Sequence, residues 1–305
     1  QLLKQGHTVY GIDNLSIGIK ENVPKGVKFA KMDLKNAEDI DSVIAECNPD
    51  IIHHCACAAY EGLSQFTPMM VTENTYNIML NTLVAAIKHK AKRFVQYSSM
   101  AVYGDQVSPF GEKLSLKPVD IYGVSKTAAE EALKILSEVH WMEYTILRPH
   151  NLIGERQIVD PYRNVAMIFM NRIMQGKPPI IYGDGTQKRA FSYVGDAIPA
   201  MIRAGEQSNT IGEVINIGPT EEYTINYLAE VILKEFNRPD LVPIHVEDRP
   251  KEVKNALCTN AKAKKILGYK TTTTFEEAIH KMARWAKQVG PKEFAYLYVD
   301  ERGVD

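Results

Sequence analysis

The sequence predicts an α/β protein with a doubly wound parallel sheet and a smaller C-terminal lobe. Through the first half of the chain, short β-branched runs alternate with amphipathic helical stretches. This alternation is typical of a parallel sheet covered by helices on both faces. After Pro149 it gives way to segments rich in glycine, proline and charge, such as GERQIVDPYRN and KPPIIYGDGTQ. We therefore divide the chain into a sheet domain, 1–150, and a mainly irregular lobe, 151–305.

The predicted elements begin within the first residues. The opening QLLKQGHTVYGIDN indicates the last turn of a helix, a stop at Gly6 and a strand over 7–12, because glycine adopts the left-handed conformation that ends many helices. Further strands are predicted at VKFAKMDL, DIIHHCACA, KRFVQYSS and EYTILRP, with helices at 37–47, 69–90 and 119–140. Helices of the second lobe are predicted near 165–175, 196–204, 224–236 and 275–289. The apolar strand 213–218 returns to the sheet, which is thus completed by about 190–220.

Composition narrows the class of protein. The formal net charge is −1 and no basic run stands out, so we expect neither nucleic acid nor an acidic membrane surface as a partner. The apolar runs are shorter than the roughly 18–20 residues of a membrane helix. Four cysteines in 305 residues make no disulfide framework, which favours a reducing cytoplasmic location.

Polar residues at the strand ends mark the place to search for a site, because ligands of open α/β sheets lie beyond the carboxyl ends of the strands. Asp13 ends a strand where a carboxylate accepts both ribose hydroxyls of NAD, and no arginine follows closely to favour NADP. The alternative is a turn aspartate before Asn14. Asp33 and Leu34 occupy the next strand end, where an aspartate can meet the adenine amine.

The HHCAC stretch raises the question of a metal. His53, Cys55 and Cys57 share one face of a strand pattern. Zinc sites use wider spacings, with a distant second pair of ligands, so we predict no metal. The small residues at 55–59 serve better as a floor for a flat cofactor.

A serine, a tyrosine and a lysine form the strongest pattern in the chain. The stretch YSSMAVYG follows a predicted strand, and YGVSK begins a helix after a polar loop. Tyr122 and Lys126 are four residues apart, so both side chains face the same way. An ammonium beside a phenol is expected to lower the pKa of the phenol and make it a usable base. Ser99 can bond the same substrate oxygen, and the set suits removal of a proton from an alcohol while a hydride leaves its carbon.

These motifs resemble the extended short-chain dehydrogenases/reductases, in the nucleotide-sugar epimerase branch typified by UDP-glucose 4-epimerase, from Gln1 to about residue 290. The resemblance implies a Rossmann-like domain, NAD as cofactor and a UDP-sugar substrate. It assigns catalysis to Ser99, Tyr122 and Lys126. The implied cofactor-binding residues are Asp13, Asn14, Asp33, Leu34, Cys55, Ala56, Cys57, Asn74, Tyr122, Lys126 and Pro149. The implied substrate-binding residues are Ser99, Asn151, Arg189, Arg249, Glu252 and Ala256.

The reaction implied by the resemblance is epimerisation at C4 of a UDP-hexose through a 4-keto intermediate. Relatives that dehydrate or decarboxylate carry an acid just after the serine or threonine, whereas this chain has Met100 and Ala101. Ala256 replaces the bulky tyrosine of hexose-only epimerases and leaves room for an N-acetyl group, so UDP-GlcNAc and UDP-GalNAc are further expected substrates. Ala190 departs from the usual aspartate, which makes the pose of Arg189 less defined. The alternatives are a nucleotide-sugar reductase or dehydrogenase that releases its product, and a non-catalytic binding module.

Two further expectations follow from the resemblance. The family's first strand and its G-x-x-G-x-x-G turn should precede Gln1, about 20 residues before the acidic strand end, so we expect the sequence to be an N-terminally incomplete record of a longer protein. The helices near 69–90 and 119–140 make a dimer's four-helix bundle in this family. We therefore expect a homodimer, although the apolar residues of these helices can also be core. They are Ile78, Leu80, Val84, Leu133 and Leu136.

Overall fold

A computed structural model describes residues 1–248, 253 and 255–294. Its strands are β1 Tyr10–Asp13, β2 Lys28–Lys31, β3 Ile51–His54, β4 Arg93–Tyr97, β5 Glu143–Pro149, β6 Leu152–Ile153, β7 Ile180–Tyr182, β8 Lys188–Arg189, β9 Ser192–Tyr193, β10 Glu213–Ile217, β11 Tyr223–Thr224, β12 Ile244–Val246 and β13 Asn255–Ala256. Its α-helices are α1 Ala37–Cys47, α2 Pro68–Thr72, α3 Ile78–Lys88, α4 Ile121–His140, α5 Val165–Met174, α6 Val194–Glu206, α7 Ile225–Glu235, α8 Ala261–Leu267 and α9 Phe275–Val289.

The main sheet is parallel and has the strand order β10-β5-β4-β3. A separate two-stranded parallel sheet joins β1 to β2, with Asp13 opposite Lys31. The predicted return of the strand near 213–218 is confirmed, because β10 pairs with β5 from Glu213 to Ile217. Short two- and three-stranded sheets make up the β-structure of the second lobe.

Helices cover both faces of the main sheet, as the alternating pattern predicted. Side chains alternate across a strand, and the neighbours Phe94 and Val95 of β4 belong to different cores. Phe94 packs with residues of α3 and α4, whereas Val95 packs with residues of α6 and α8. A third core lies in the second lobe between α5, α7 and α9. No helix in the described part of the chain is long and apolar enough to cross a bilayer.

Two predicted helices have the predicted bounds, and capping explains why. The side chain of Asn36 accepts hydrogen bonds from the backbone N–H groups at the start of α1. Thr274 and Glu277 form a reciprocal capping box at the start of α9. At the N-terminus, Gly6 ends a short 3-10 helix, Leu2–Gln5, in the left-handed conformation. The strand expected over 7–12 was placed too early, since β1 begins at Tyr10, and α8 was not predicted at all.

The single helix predicted over 69–90 is in fact interrupted. Between α2 and α3 the chain forms a π-helical turn, Glu73–Asn77, in which Asn74 has the non-helical angles φ −88° and ψ 16°. Such a turn adds a residue to the helical repeat and often lies at a functional site. Here the backbone carbonyl of Asn74 accepts a hydrogen bond from Ala58 N at 2.8 Å, which joins the helix to the loop after β3.

Candidate active site

A cleft of about 630 Å³ lies at the carboxyl ends of β1, β2 and β3. Its volume falls within the range of small-molecule and cofactor sites. Eight of the predicted cofactor residues line it, namely Asp13, Asn14, Asp33, Leu34, Cys55, Ala56, Cys57 and Asn74. Pro149, another predicted cofactor residue, ends β5.

The side chains of Asp13 and Asp33 accept backbone hydrogen bonds in the turns that follow β1 and β2. Asp13 Oδ1 accepts a hydrogen bond from Leu15 N at 2.7 Å, and Asp33 Oδ1 accepts one from Lys35 N at 2.9 Å. Asn14 Nδ2 donates to Asp33 Oδ2 at 3.5 Å, so the two strand ends are linked. Asp13 therefore serves as the turn aspartate of the alternative interpretation and also lines the cleft.

Tyr122 is brought to Ser99 by the start of α4. Asp120 caps this helix by accepting a hydrogen bond from Gly123 N at 2.7 Å. At Gly123 a Cβ would lie 2.8 Å from Ala101 O, so only glycine lets the helix approach the segment after β4 this closely. Ser99 caps that segment by accepting from Ala101 N at 3.1 Å, and its side chain lies close enough to the Tyr122 phenol to lower the pKa of that phenol.

The expected lowering of the Tyr122 pKa is wrong for this structure. Burial of the phenol raises its pKa well above the usual value, and the nearby groups Cys57 and Glu61 raise it further, against a smaller opposing effect of Ser99. Lys126 does not reverse this rise. Its Nζ donates to Tyr97 O at 2.6 Å and lies 5.8 Å from the centroid of the Tyr122 ring.

A smaller pocket of about 140 Å³ adjoins Ala101 on the second-lobe side. Its lining includes Met100 and three of the residues predicted to bind the substrate, Asn151, Arg189 and Ala256. Asn151 Nδ2 donates to the carbonyl of Ala190 at 2.9 Å, which orients its amide. Two more of the predicted substrate residues, Arg249 and Glu252, lie outside the described part of the chain.

A buried ion pair that the sequence did not reveal ties α4 to β5. Arg148 Nε and Nη2 donate to the two carboxylate oxygens of Glu130 at 2.8 and 2.5 Å, and Ser98 Oγ donates to Glu130 Oε1 at 2.6 Å. Arg148 Nη1 also donates to Tyr103 OH, which donates to Asn216 Oδ1. The network fixes the helix that carries Tyr122 against the strand that leads to Asn151. Glu130 follows Lys126 by four residues, and this helical spacing was the only sequence signal of its inward position.

The histidines and cysteines of HHCAC do not come together. His53 Nδ1 lies 3.2 Å from Tyr97 OH on the α6 side of the sheet, whereas Cys55 and Cys57 line the larger cleft. Within the described residues no three histidine, cysteine, aspartate or glutamate side chains are grouped to hold a metal ion.

Comparison with known proteins agrees with this geometry. The model of the NAD dependent epimerase/dehydratase family matches residues 1–218. The fold and site thus define a Rossmann-type NAD-dependent enzyme of nucleotide-sugar chemistry, and the chain belongs to the NAD-dependent epimerase/dehydratase family. The resemblance stated from the motifs is therefore confirmed, as is the NAD cofactor at the level of the family.

Individual relatives cover nearly the whole chain. A putative UDP-glucose 4-epimerase of Methanocaldococcus jannaschii is 30% identical over 293 residues, which are 94% of this chain and 93% of that protein. A UDP-N-acetyl-alpha-D-glucosaminuronate decarboxylase of Bacillus cytotoxicus is 26% identical, with coverage of 95% and 93%. The crystal structure of Thermus thermophilus UDP-glucose 4-epimerase in complex with NAD superimposes with a TM-score of 0.85 at 27% identity, covering 93% of this chain and 92% of that one.

The residues of the larger cleft fit a dinucleotide. Asp13 and Asp33 provide acceptors for hydroxyl and amine groups, and the small side chains of Ala56 and Cys57 leave a surface against which a flat ring can lie. The cleft also contains a cation, Arg163. Bound NAD would supply an acceptor for a hydride.

Proposed function

We propose that this protein interconverts UDP-hexoses that differ at C4, by NAD-dependent oxidation to a 4-keto sugar and reduction from the opposite face. The observation that carries the proposal is the proximity of the Ser99 hydroxyl to the Tyr122 phenol, where residues of both clefts meet. Tyr122 packs against Cys57, which lines the larger cleft, and against Ala101, which lines the smaller pocket. A sugar in the small pocket would then lie within reach of both the base and the cofactor.

The roles of the individual residues follow from their chemistry. Tyr122 removes the proton of the C4 hydroxyl and later returns it, and Ser99 bonds the same oxygen. Lys126 is held by its bond to Tyr97 O, with its Nζ 5.8 Å from the centroid of the Tyr122 ring. The surroundings of Tyr122 favour the neutral phenol. To act as a base near neutral pH, Tyr122 therefore needs more positive charge beside the phenol than the chain alone provides.

Decarboxylation, the reaction of one of the relatives, is disfavoured by the groups next to Ser99. Met100 and Ala101 line the sugar pocket and neither can transfer a proton. Two carboxylates, Glu61 and Asp120, line the same pocket and outnumber its one described cation, Arg189. Like charges repel in a partly buried site, so this pocket favours a neutral hexose over a uronic acid.

The experiment that tests the proposal is incubation with UDP-galactose, UDP-GalNAc and UDP-glucuronate, followed by NMR of the products. We expect C4 epimers of the two neutral sugars without added NAD, and neither CO2 nor a pentose from the uronate. Tyr122→Phe should lower kcat about 10²–10⁴-fold, whereas Tyr97→Phe, a nearby tyrosine bonded to His53, should retain most activity. Release of a keto product with a need for added NAD(P)H would favour a reductase, and no turnover would favour a binding module.

The choice between hexose and N-acetylhexose depends on Ala256. Its side chain is buried at the wall of the small pocket, beside Val253 and Phe110. Ala256→Tyr should fill this space and remove turnover of UDP-GalNAc while sparing UDP-galactose. If Ala256→Tyr turned over UDP-GalNAc as fast as the wild type does, the argument that Ala256 makes room for an N-acetyl group would be refuted.

A homodimer through α3 and α4 remains part of the proposal, and Val84 is the one of the five residues named for this face that the structure leaves exposed. Ile78 and Leu133 are buried in the protein's own core, whereas Val84 is 52% exposed. On α4, Val124, Ile135 and Val139 are exposed and share one face by helical spacing. We expect Ile135→Glu to convert a dimer to a monomer in light scattering after gel filtration, and a wild-type monomer would contradict the proposal.

A further inference from the structure

The loop that follows β3 brings a carboxylate to the wall of the small pocket, and no sequence motif pointed to it. Glu61 lines this pocket together with Gln65 of the same loop, whereas Asn151 and Arg189 line it from the second lobe. Glu61 is exposed, so a molecule that enters the pocket can reach its carboxylate.

Hydrogen bonds on both sides of Glu61 fix the course of this loop. Tyr60 is buried, and its hydroxyl donates to Asp160 Oδ2 at 2.8 Å. On the other side, Ser64 N donates to Tyr60 O at 2.8 Å, and Ser64 Oγ donates to Glu61 O at 2.7 Å. A short 3-10 helix, Leu63–Gln65, continues from there. The side chain of Glu61 therefore starts from a defined point of the pocket wall.

Glu61 also lies near the group that is proposed to react with the sugar. Its negative charge is close enough to the Tyr122 phenol to raise the pKa of that phenol. In the proposed reaction this phenol meets the oxygen on C4. A hexose carries a hydroxyl on C3 and a hydroxymethyl group on C5, so both neighbours of C4 present a hydrogen-bond donor. An ionised carboxylate is an acceptor only, so its natural partner here is one of these two hydroxyls.

The second carboxylate in the described lining of the pocket, Asp120, has a different task. Its Oδ1 accepts a hydrogen bond from Gly123 N at 2.7 Å and so caps α4. A negative charge at this position is also stabilised by the helix dipole. Because Asp120 serves the helix that carries Tyr122, Glu61 is the carboxylate of this pocket that we assign to the sugar.

We propose that Glu61 is a specificity-determining residue, whose carboxylate accepts a hydrogen bond from a sugar hydroxyl next to C4 and repels a sugar that carries a carboxylate there. The inference rests on the proposed function in so far as the sugar of a UDP-hexose occupies the small pocket. A sugar without the bonded hydroxyl binds less well, because the carboxylate then loses water without gaining a partner. A uronic acid, with its carboxylate on C5, adds repulsion between like charges.

Binding to a protein that cannot turn over the sugar tests this role. The NAD-loaded Tyr122→Phe protein would be titrated in a calorimeter with UDP, UDP-galactose, the 3-deoxy and 6-deoxy analogues of UDP-galactose, and UDP-galacturonate. We expect the further change Glu61→Ala to raise the Kd of UDP-galactose about tenfold, as for the loss of a hydrogen bond to a charged group, and to leave UDP unchanged. For the deoxy analogue that lacks the bonded hydroxyl, Glu61→Ala should leave the Kd unchanged, which identifies that hydroxyl.

Two further variants complete the test. Glu61→Gln keeps an acceptor and loses the charge, so its Kd for UDP-galactose should lie between those of the parent and Glu61→Ala. The same variant should bind UDP-galacturonate about threefold more tightly than the parent does, because a repulsive charge is gone. Glu138→Gln, which changes an exposed glutamate of α4 outside the described lining of both clefts, is the matched control and should leave every Kd unchanged.

Four results would overturn the proposal. The first is unchanged binding of UDP-galactose by Glu61→Ala. The second is an equal rise in the Kd of UDP and UDP-galactose, which would show damage to the nucleotide site or to the loop. The third is an equal rise for UDP-galactose and both deoxy analogues, and the fourth is unchanged or weaker binding of UDP-galacturonate by Glu61→Gln.

Kinetics of the active protein separate the sugar contact from the effect of Glu61 on Tyr122. The ratio of kcat/KM for UDP-galactose to kcat/KM for the identified deoxy analogue should fall about tenfold in Glu61→Ala. The pKa of Tyr122 in the free protein is the same for both substrates, so a change in it cancels in this ratio. Because the titrations involve no catalysis, the inference can hold even if C4 epimerisation is disproved, and it can fail while epimerisation stands.

Discussion

Replacement of Glu130 by glutamine offers a direct test of how α4 is held. The carboxylate is fully buried and accepts three hydrogen bonds, two of them from the guanidinium of Arg148, which is 2% exposed. Burial opposes the charge of Arg148, but the bonds and charge of Glu130 outweigh it and raise the pKa of the guanidinium. Without Glu130 the arginine charge would remain buried and unpaired.

The expected magnitude follows from these contacts. Two charge-assisted hydrogen bonds contribute about 1.5–3 kcal/mol each, and removal of one partner of a buried pair costs about 3–5 kcal/mol. We therefore expect Glu130→Gln to lower the free energy of unfolding by about 3–5 kcal/mol, measured by urea denaturation at pH 7. The neighbouring Glu131, which pairs on the surface with Lys134, provides the control, and Glu131→Gln should change stability by less than about 1 kcal/mol.

A double variant separates the ion pair from mere packing. In Glu130→Gln with Arg148→Met no charge is left unpaired, so much of the lost stability should return. The reasoning is refuted if Glu130→Gln is no more destabilising than Glu131→Gln, or if the double variant is as unstable as the sum of its two single changes.

Three more predictions follow from the site and the cores. Gly123→Ala places a Cβ 2.8 Å from Ala101 O, which must move α4 by about 0.5 Å and lower kcat roughly tenfold. Gly111→Ala, where nothing lies within 4 Å of the added Cβ, should leave kcat unchanged. Equal kcat values of the two variants would contradict the role of close packing at Gly123. Cys57→Ala removes a group that raises the pKa of Tyr122, so the rising limb of the pH–kcat profile should shift to lower pH, whereas Cys47→Ala should leave it in place. Burial lowers the pKa of His53 to about 4 and the pKa values of His54 and His150 to about 3. The unfolded chain therefore takes up protons first as the pH falls below about 6.5, and the free energy of unfolding should fall by roughly 6 kcal/mol between pH 7 and pH 5. Equal midpoints of urea denaturation at the two pH values would contradict this.

Local sequence determined those helices whose capping residues are their neighbours in the chain. The capping residues Asn36 and Thr274 lie next to the helices they start, and the bounds of α1 and α9 followed from the sequence. Seven of the eight predicted cofactor residues lie at or just after the carboxyl ends of β1, β2 and β3, which is where ligands of open α/β folds bind, and the eighth, Asn74, lies in the π-helical turn. A pattern that depends on neighbours in the chain can be detected from the chain alone.

Only the tertiary structure determined the properties that depend on residues far apart in the chain, namely pKa values and burial. The pKa of Tyr122 rises because the fold buries the ring beside Cys57 and Glu61, more than 60 residues earlier in the chain. The burial of Leu133 and the exposure of Ile135 likewise depend on which face of α4 meets the sheet. Arg163 carries no local motif, and only the packing of the loop between β6 and α5 against Tyr60 brings its guanidinium to the larger cleft. Burial and hydrogen bonding between distant residues are properties of the packed chain. The sequence could therefore predict which residues line the site, but not the pKa values and charge pairing of those residues.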